Sequence, residues 1–298
     1  MISMSKEHKS YLYILSAAIL WGTTGTVLYF APLDTSPFSV GIMRITAGTF
    51  FFIIINFLNK NSSNFTVLSS RKNILLAGLS LAFYQPFFFF AVKKSGVAVG
   101  TAVSITSAPV FAGLIKLIFV KKTPEKKWFA ATLLSIIGCL LLFSNSEINI
   151  NLSGILLALG AGLSYSLFSL FNKKQSGNNS PLTSISYIFL TASLLYLPLF
   201  FIFDFSWAYS SSGLPIVLFL GLITASLPFF LYTKGLEYSS AETSVTLTIA
   251  EPLTATLLGV FLLKEKLNLL TGLGLFLLLL GFMIIFINKD SLKRYFHI

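Results

Sequence analysis

The residue in this chain best placed to do chemistry is a glutamate directly before a proline, deep in an apolar run. Glu251 and Pro252 stand in TIAEPLTAT. A carboxylate there could exchange a proton, ligate a substrate or hydrogen-bond to helix ends, and the residues alone leave those roles open. Two bases also lie inside apolar runs. Arg44, in GIMRITAG, fits a cavity or ion-pair role as well as a side chain reaching out to the membrane interface. Lys116, flanked by Leu114, Ile115, Leu117 and Ile118 near the end of its run, is expected to snorkel.

The other candidates are polar or aromatic residues set among small ones. Tyr84 and Gln85 precede Pro86 and four phenylalanines. A glutamine is costly in lipid, so Gln85 is expected to face the protein interior. Trp21 in WGTTGT and Tyr165 in AGLSYS lie well inside their runs, where an aromatic wall beside small residues suits a cavity lining better than an interfacial anchor. Ser104 belongs to a set of small hydroxyl-bearing positions, answered later in the chain by Thr243, Ser244, Thr246 and Thr248. Such residues serve close helix packing or line a polar path. Pro109 and Pro252 each remove a helical N–H and crowd the preceding turn, so each is predicted to bend its helix and act as a hinge.

Catalytic constellations are missing. His8 and His297 lie in the tails, and Asp34, Asp204 and Asp290 lie near the ends of apolar runs or in loops. No paired acids sit within a run, no Ser–His pair is available, and no phosphate-binding GxxxxGK[ST] occurs. No catalytic residue, metal or cofactor is therefore expected, and an enzyme is disfavoured. Cys139 sits in an apolar run and reads as a small buried hydrophobe.

The elements that must hold these residues are set by composition. Of 298 residues, 55% are hydrophobic and 10% charged, with 31 phenylalanines and a mean hydropathy of +0.84. A soluble domain carries about 25% charged residues, so the chain is an integral membrane protein with the lipid bilayer as its solvent. Nucleic acid is excluded as a partner, because the net charge of +11 falls in short loops and tails. The apolar stretch after MISMSKEHKS is too long for a signal peptide and lacks a clear cleavage site, so it reads as a retained first helix. Ten apolar runs are long enough to cross a bilayer, roughly 11–31, 38–58, 73–92, 97–120, 128–145, 153–171, 181–203, 213–234, 240–263 and 269–288.

With the N-terminus cytoplasmic, Lys6, Lys9, Lys60, Arg71, Lys72, Lys121, Lys122, Lys126, Lys127, Lys173, Lys174, Lys234, Lys289, Lys293 and Arg294 fall inside, and Lys93, Lys94, Lys264 and Lys266 outside. That bias supports ten spans with both termini cytoplasmic. The chain also repeats. Offset by 143, Pro109 aligns with Pro252, Lys121 with Lys264, Gly138 with Gly281 and Phe143 with Phe286. Five spans per repeat force the second to insert upside down. The expected fold is thus all-α, with ten transmembrane helices in two inverted five-helix repeats, residues 1–148 and 149–298. Inverted repeats are the usual build of alternating-access transporters. The carboxylate is not duplicated, since Ala108 stands where Glu251 does in the second repeat.

At ILWGTTGT, GIMRITAG, FFFFAVKKSGVAVGTAVSITSAPVFAGL, ALGAGLSYSLF and YTKGLEYSSAETSVTLTIAEPLTATLLGVFLLKE, the chain resembles the drug/metabolite transporter superfamily, specifically EamA-type transporters with two EamA repeats. The resemblance covers almost the whole chain. It implies ten helices around a central cavity, with Trp21, Tyr84, Gln85, Ser104, Tyr165 and the Glu251–Pro252 pair near it, and with helices five and ten serving packing or homodimer contacts. The expected function is secondary transport of small organic solutes, amino acids or related metabolites, across the cytoplasmic (inner) membrane by alternating access, with efflux the favoured direction. The alternatives are a membrane-embedded enzyme on lipid-linked substrates and a non-transporting scaffold.

Overall fold

Backbone groups in lipid must be satisfied within the protein, which for long continuous runs means helices. The computed structural model describes residues 5–32, 35–58, 71–143, 151–176, 179–262, 264 and 268–286, and these are helical without a β-strand. Lys60, Lys266, Lys289, Lys293, Arg294, Asp34, Asp290, His297 and the expected repeat boundary at 148/149 lie outside the described residues.

In chain order the helices are α1 (Lys6–Leu28), α2 (Pro37–Leu58), α3 (Arg71–Ile115), α4 (Lys126–Leu142), α5 (Leu152–Gln175), α6 (Pro181–Tyr196), α7 (Gly213–Phe219), α8 (Leu227–Gly235), α9 (Ala241–Leu247), α10 (Ala250–Leu262) and α11 (Leu269–Phe286). Side chains mark several starts: Ser5, Asn151, Ser180 and Ser240 accept the N–H groups of His8, Gly154, Thr183 and Thr243 at 3.1–3.3 Å. Eight helical stretches among the described residues are long and apolar enough to cross a membrane. The outer surface carries apolar side chains such as Phe57, 86% exposed, while Ser39, Ser169 and Thr224 are fully buried. That distribution fits a molecule solvated by lipid.

The longest stretch, Arg71–Val120, contains 50 residues, more than twice what a bilayer needs. It is broken at Gly96, whose φ of +80° is open to glycine and strained for other residues. Two lysines also adopt the left-handed conformation, Lys121 at φ 53° and Lys264 at φ 61°. They are the aligned pair of the repeat, so the same unusual backbone recurs at equivalent positions.

Contacts sort the helix ends onto two faces. On the N-terminal face, Lys173 Nζ donates to the carbonyls of Leu236 and Glu237 at 2.6 and 3.1 Å. There too, Lys234 lies 4.7 Å over the Tyr13 ring. On the opposite face, Trp207 Nε1 donates to Ser39 Oγ at 2.7 Å, and Ser95 Oγ donates to the Asn151 carbonyl at 3.3 Å.

The two expected bends differ. Thr248 would close a helical bond with residue 252, but a proline has no N–H to give. Its carbonyl takes the N–H of Glu251 instead, at 3.0 Å, and the helix is interrupted between Leu247 and Ala250. At Pro109, by contrast, α3 runs on without interruption. The sequence treats the two prolines alike, but the structure breaks only the second helix.

Candidate functional site

The interruption before Pro252 faces a cavity of about 610 Å³. Trp21 and Thr24 of α1, Arg44 of α2, Tyr84 and Gln85 of α3 and Glu251 of α10 line it. It extends past Leu28, Pro37, Val97 and Asn268, toward the face opposite the N-terminus. A narrower inner recess adds Ser104, Tyr165, Phe229 and Thr248. Trp21, Tyr84, Gln85, Ser104, Tyr165 and Glu251 therefore meet on the walls of one connected space, although they come from four helices, and Arg44 and Pro252 join them. Pro109 is buried beside this space, with its neighbour Ala108 on the wall.

Local chemistry fixes each group. Arg44 Nε and Nη2 donate to the Thr224 carbonyl at 3.2 and 2.6 Å. The helical partner of that carbonyl would be residue 228, a proline in this chain. The guanidinium thus serves a carbonyl to which the proline offers no N–H, and it does not reach out to the interface. Pro228 lies in the first turn of α8, which starts where a π-helical segment, Leu220–Ser226, ends.

Glu251 lies in the first turn of α10, where the exposed helix N–H groups favour a negative charge. Its backbone is held close to α1: a side chain at Gly22 would sit 2.7 Å from the Glu251 carbonyl oxygen and 2.6 Å from Thr254 Cβ. The Glu251 carboxylate makes no hydrogen bond or ion pair among the described residues. Arg44 and Glu251 thus share the cavity as opposite charges without direct contact.

Aromatic rings close the inner end. Trp21 stands edge-on to Phe229 at 4.9 Å and to Tyr165 at 6.2 Å, and Tyr84 lies 5.6 Å from Tyr165. Three buried polar atoms on these walls lack a protein partner: Trp21 Nε1, Thr24 Oγ1 and Gln85 Nε2. Unpaired groups of this kind are costly inside a protein, and a cavity lined by several of them suits a polar guest. Ser104 is spent differently, its hydroxyl donating to the Gly100 carbonyl at 2.7 Å.

A separate polar layer lies toward the N-terminal face. Lys116, at the start of the π-helical segment Lys116–Val120, is ion-paired with Glu242 in the first turn of α9. The expectation that Lys116 snorkels is thereby corrected, because a buried carboxylate within reach neutralises it where it stands. Trp128 Nε1 donates to Thr246 Oγ1 at 3.0 Å and to the Glu242 carbonyl at 3.2 Å. Thr132 and Thr246 share a hydroxyl bond of 3.0 Å, and Tyr11 donates to Glu7. No group of three or more metal-binding side chains occurs among the described residues.

Phe229 and Ile105 line the site but do not stand out in the sequence. A signal for Phe229 does exist: QPFFFF at 85–90 is answered by LPFFLY at 227–232, which pairs Pro86 with Pro228 and Phe87 with Phe229.

The EamA-like transporter family model matches twice, over residues 8–144 and 152–287. An uncharacterized transporter of Bacillus subtilis (strain 168), YwfM, is 39% identical over 280 residues, covering 92% of each chain. The threonine/homoserine exporter RhtA of Escherichia coli (strain K12) is 24% identical, over 86% of this chain and 84% of its own. A solved crystal structure shares the fold at a TM-score of 0.80 with 18% identity, over 97% of this chain and 99% of that one.

Proposed function

Given that the chain belongs to the EamA-like transporter family, a multi-pass membrane transporter rather than an enzyme, we propose that it is a secondary exporter of small organic solutes, amino acids or related metabolites, in the cytoplasmic membrane. The observation that carries this reading is the cavity beside the Glu251–Pro252 break, with two charged side chains that form no ion pair and three unpartnered polar atoms on its walls. A scaffold has no use for such a space, and keeping it unfilled costs stability.

Ten passes follow if Arg71–Val120 is counted as two at Gly96 and Lys126–Leu142 as one. The repeats, residues 1–148 and 149–298, are then inverted and both termini are cytoplasmic. The cavity reaches toward the outside, and the Lys116–Glu242 and Trp128–Thr246 contacts close the cytoplasmic side. Alternating access requires those contacts to part as the outer end closes, with Pro252 the principal hinge and Pro109 its weaker counterpart. Trp21, Tyr84, Gln85, Ser104, Tyr165 and Glu251 form the substrate cavity, with Arg44 as charge partner. α4 packs along α11, and a homodimer would form through the outer faces of these two helices.

The direction draws on the exporter RhtA among the relatives. Protein reconstituted into vesicles should release a trapped solute without chemical change. Chemical conversion, or no protein-dependent release from any metabolite mixture, sinks the reading.

A further inference from the structure

The crossing of α4 and α11 is made twice. A side chain at Gly138 would sit 2.7 Å from the Gly274 carbonyl oxygen, and one at Gly281 would sit 2.9 Å from that of Ala131. The repeat offset of 143 carries Gly138 onto Gly281 and Ala131 onto Gly274, so the second contact is the first with the halves exchanged. The closure of the N-terminal face is made once. Trp128 holds the Glu242 carbonyl and Thr246 of α9, and it lies over Gly113, where a side chain would come 2.4 Å from the indole ring. The same offset carries Trp128 onto Thr271 and Gly113 onto Thr256, and it carries Val99 and Val103 onto Glu242 and Thr246. Thr256 and Thr271 stand on the wall of the open cavity, and so do Val97 and Thr101, which flank Val99.

Halves related in this way can exchange arrangements, and the exchange converts the open end into the closed one. A contact made twice survives the exchange. A contact made once is traded for its counterpart in the other half. Resting on the transporter reading and the inverted repeats above, we infer that the outer mouth closes when residues 97–103 of α3 settle on Thr271, in the place that α9 takes on Trp128, while the α4–α11 crossing stays as it is. Gly96, with nothing within 4 Å of where its side chain would be, leaves the start of this segment room to move. The two seals differ in chemistry. Valines 99 and 103 replace Glu242 and Thr246, and Gly259 replaces Lys116, so the outer seal has no ion pair. A seal of small and apolar residues depends on close helix approach. The ion pair on the other face biases the empty protein toward the arrangement seen here.

The test uses the full chain in proteoliposomes loaded with a bacterial metabolite extract, with Cys139 replaced by serine. The pairs V99C/T271C and V103C/T271C are oxidised with copper phenanthroline. The pair T132C/T246C, at positions joined by a 3.0 Å hydroxyl bond in the parent chain, serves as the control for folding and oxidant. At least one outer pair should form a disulfide. Adding E242Q, which removes the ion pair, should raise its rate of formation about three- to tenfold by shifting the population toward outer closure. Solute release should stop on oxidation and return with dithiothreitol. Outer pairs that stay reduced while T132C/T246C closes overturn the inference, and so does a rate that E242Q leaves unchanged. Crosslinking needs no solute, so the two readings fail separately. Missing outer crosslinks with release intact leave the transporter reading standing, and outer crosslinks in a protein that releases nothing overturn that reading alone.

Discussion

Lys116 and Glu242 form an ion pair that joins the two segments matched by the family model, 126 residues apart in the chain. It lies toward the face opposite the cavity mouth, with the lysine side chain 21% and the glutamate 6% exposed. An ion pair between halves costs little to hold and can be parted when the halves move, which apolar packing of the same area does less readily.

Reversing one member should therefore be worse than reversing both. K116E or E242K alone should lower stability by about 1–3 kcal/mol, below the loss for a fully buried pair because Lys116 is partly solvated. The double variant K116E/E242K should recover most of that loss and of the flux. A double-mutant cycle on thermal unfolding in detergent, run beside vesicle flux, measures this. A double variant no better than the worse single one removes the pair from the closing contact.

Glu251→Gln tests energy coupling, read as the ratio of flux with an imposed pH gradient to flux without one. If protons drive export, E251Q should abolish flux driven by a pH gradient while leaving membrane insertion intact. Comparing flux with and without an imposed gradient checks it, and an unchanged proton dependence takes Glu251 out of the coupling step.

The prolines should not be equivalent. P252A lets residue 252 donate to the Thr248 carbonyl and mends the interruption between α9 and α10. Export should slow by about tenfold or more, with stability unchanged or raised. P109A leaves an already continuous α3 continuous and should change flux by less than about threefold, a small fraction of the cost of a misplaced site. Equal effects of the two substitutions would argue against Pro252 as the principal hinge.

Gly22 sets how near α10 approaches α1. G22V should push Glu251 off the cavity wall and cost about 1–3 kcal/mol, with flux falling further than stability. Unfolding midpoints and flux on the same preparation separate the two effects.

Orientation is testable with single cysteines after Cys139, fully buried, is replaced by serine. A membrane-impermeant maleimide added to intact cells should label V97C and spare K127C, which should react only after the cells are opened. The reverse pattern inverts the whole topology.

Much of this molecule was legible in the order of its residues. Long apolar runs in a solvent that offers no hydrogen bonds have to be helices, so the all-helical membrane class needed no coordinates. The aligned Pro109 and Pro252, and Lys121 and Lys264, marked the repeat because equivalent backbone demands equivalent residues. Glu251 and Gln85 stood out because such groups are expensive in lipid wherever they fall.

Tertiary structure decided what those expensive groups are near. Nothing in the chain order says that Arg44 would meet the Thr224 carbonyl, that Lys116 would find Glu242, or that Trp21, Tyr165 and Phe229 would close one recess. Each of these is a contact between distant helices, and its existence depends on how the helices cross. Two prolines aligned in sequence likewise came apart in structure. A proline only deletes a donor, and whether the helix then breaks is settled by what its neighbours supply.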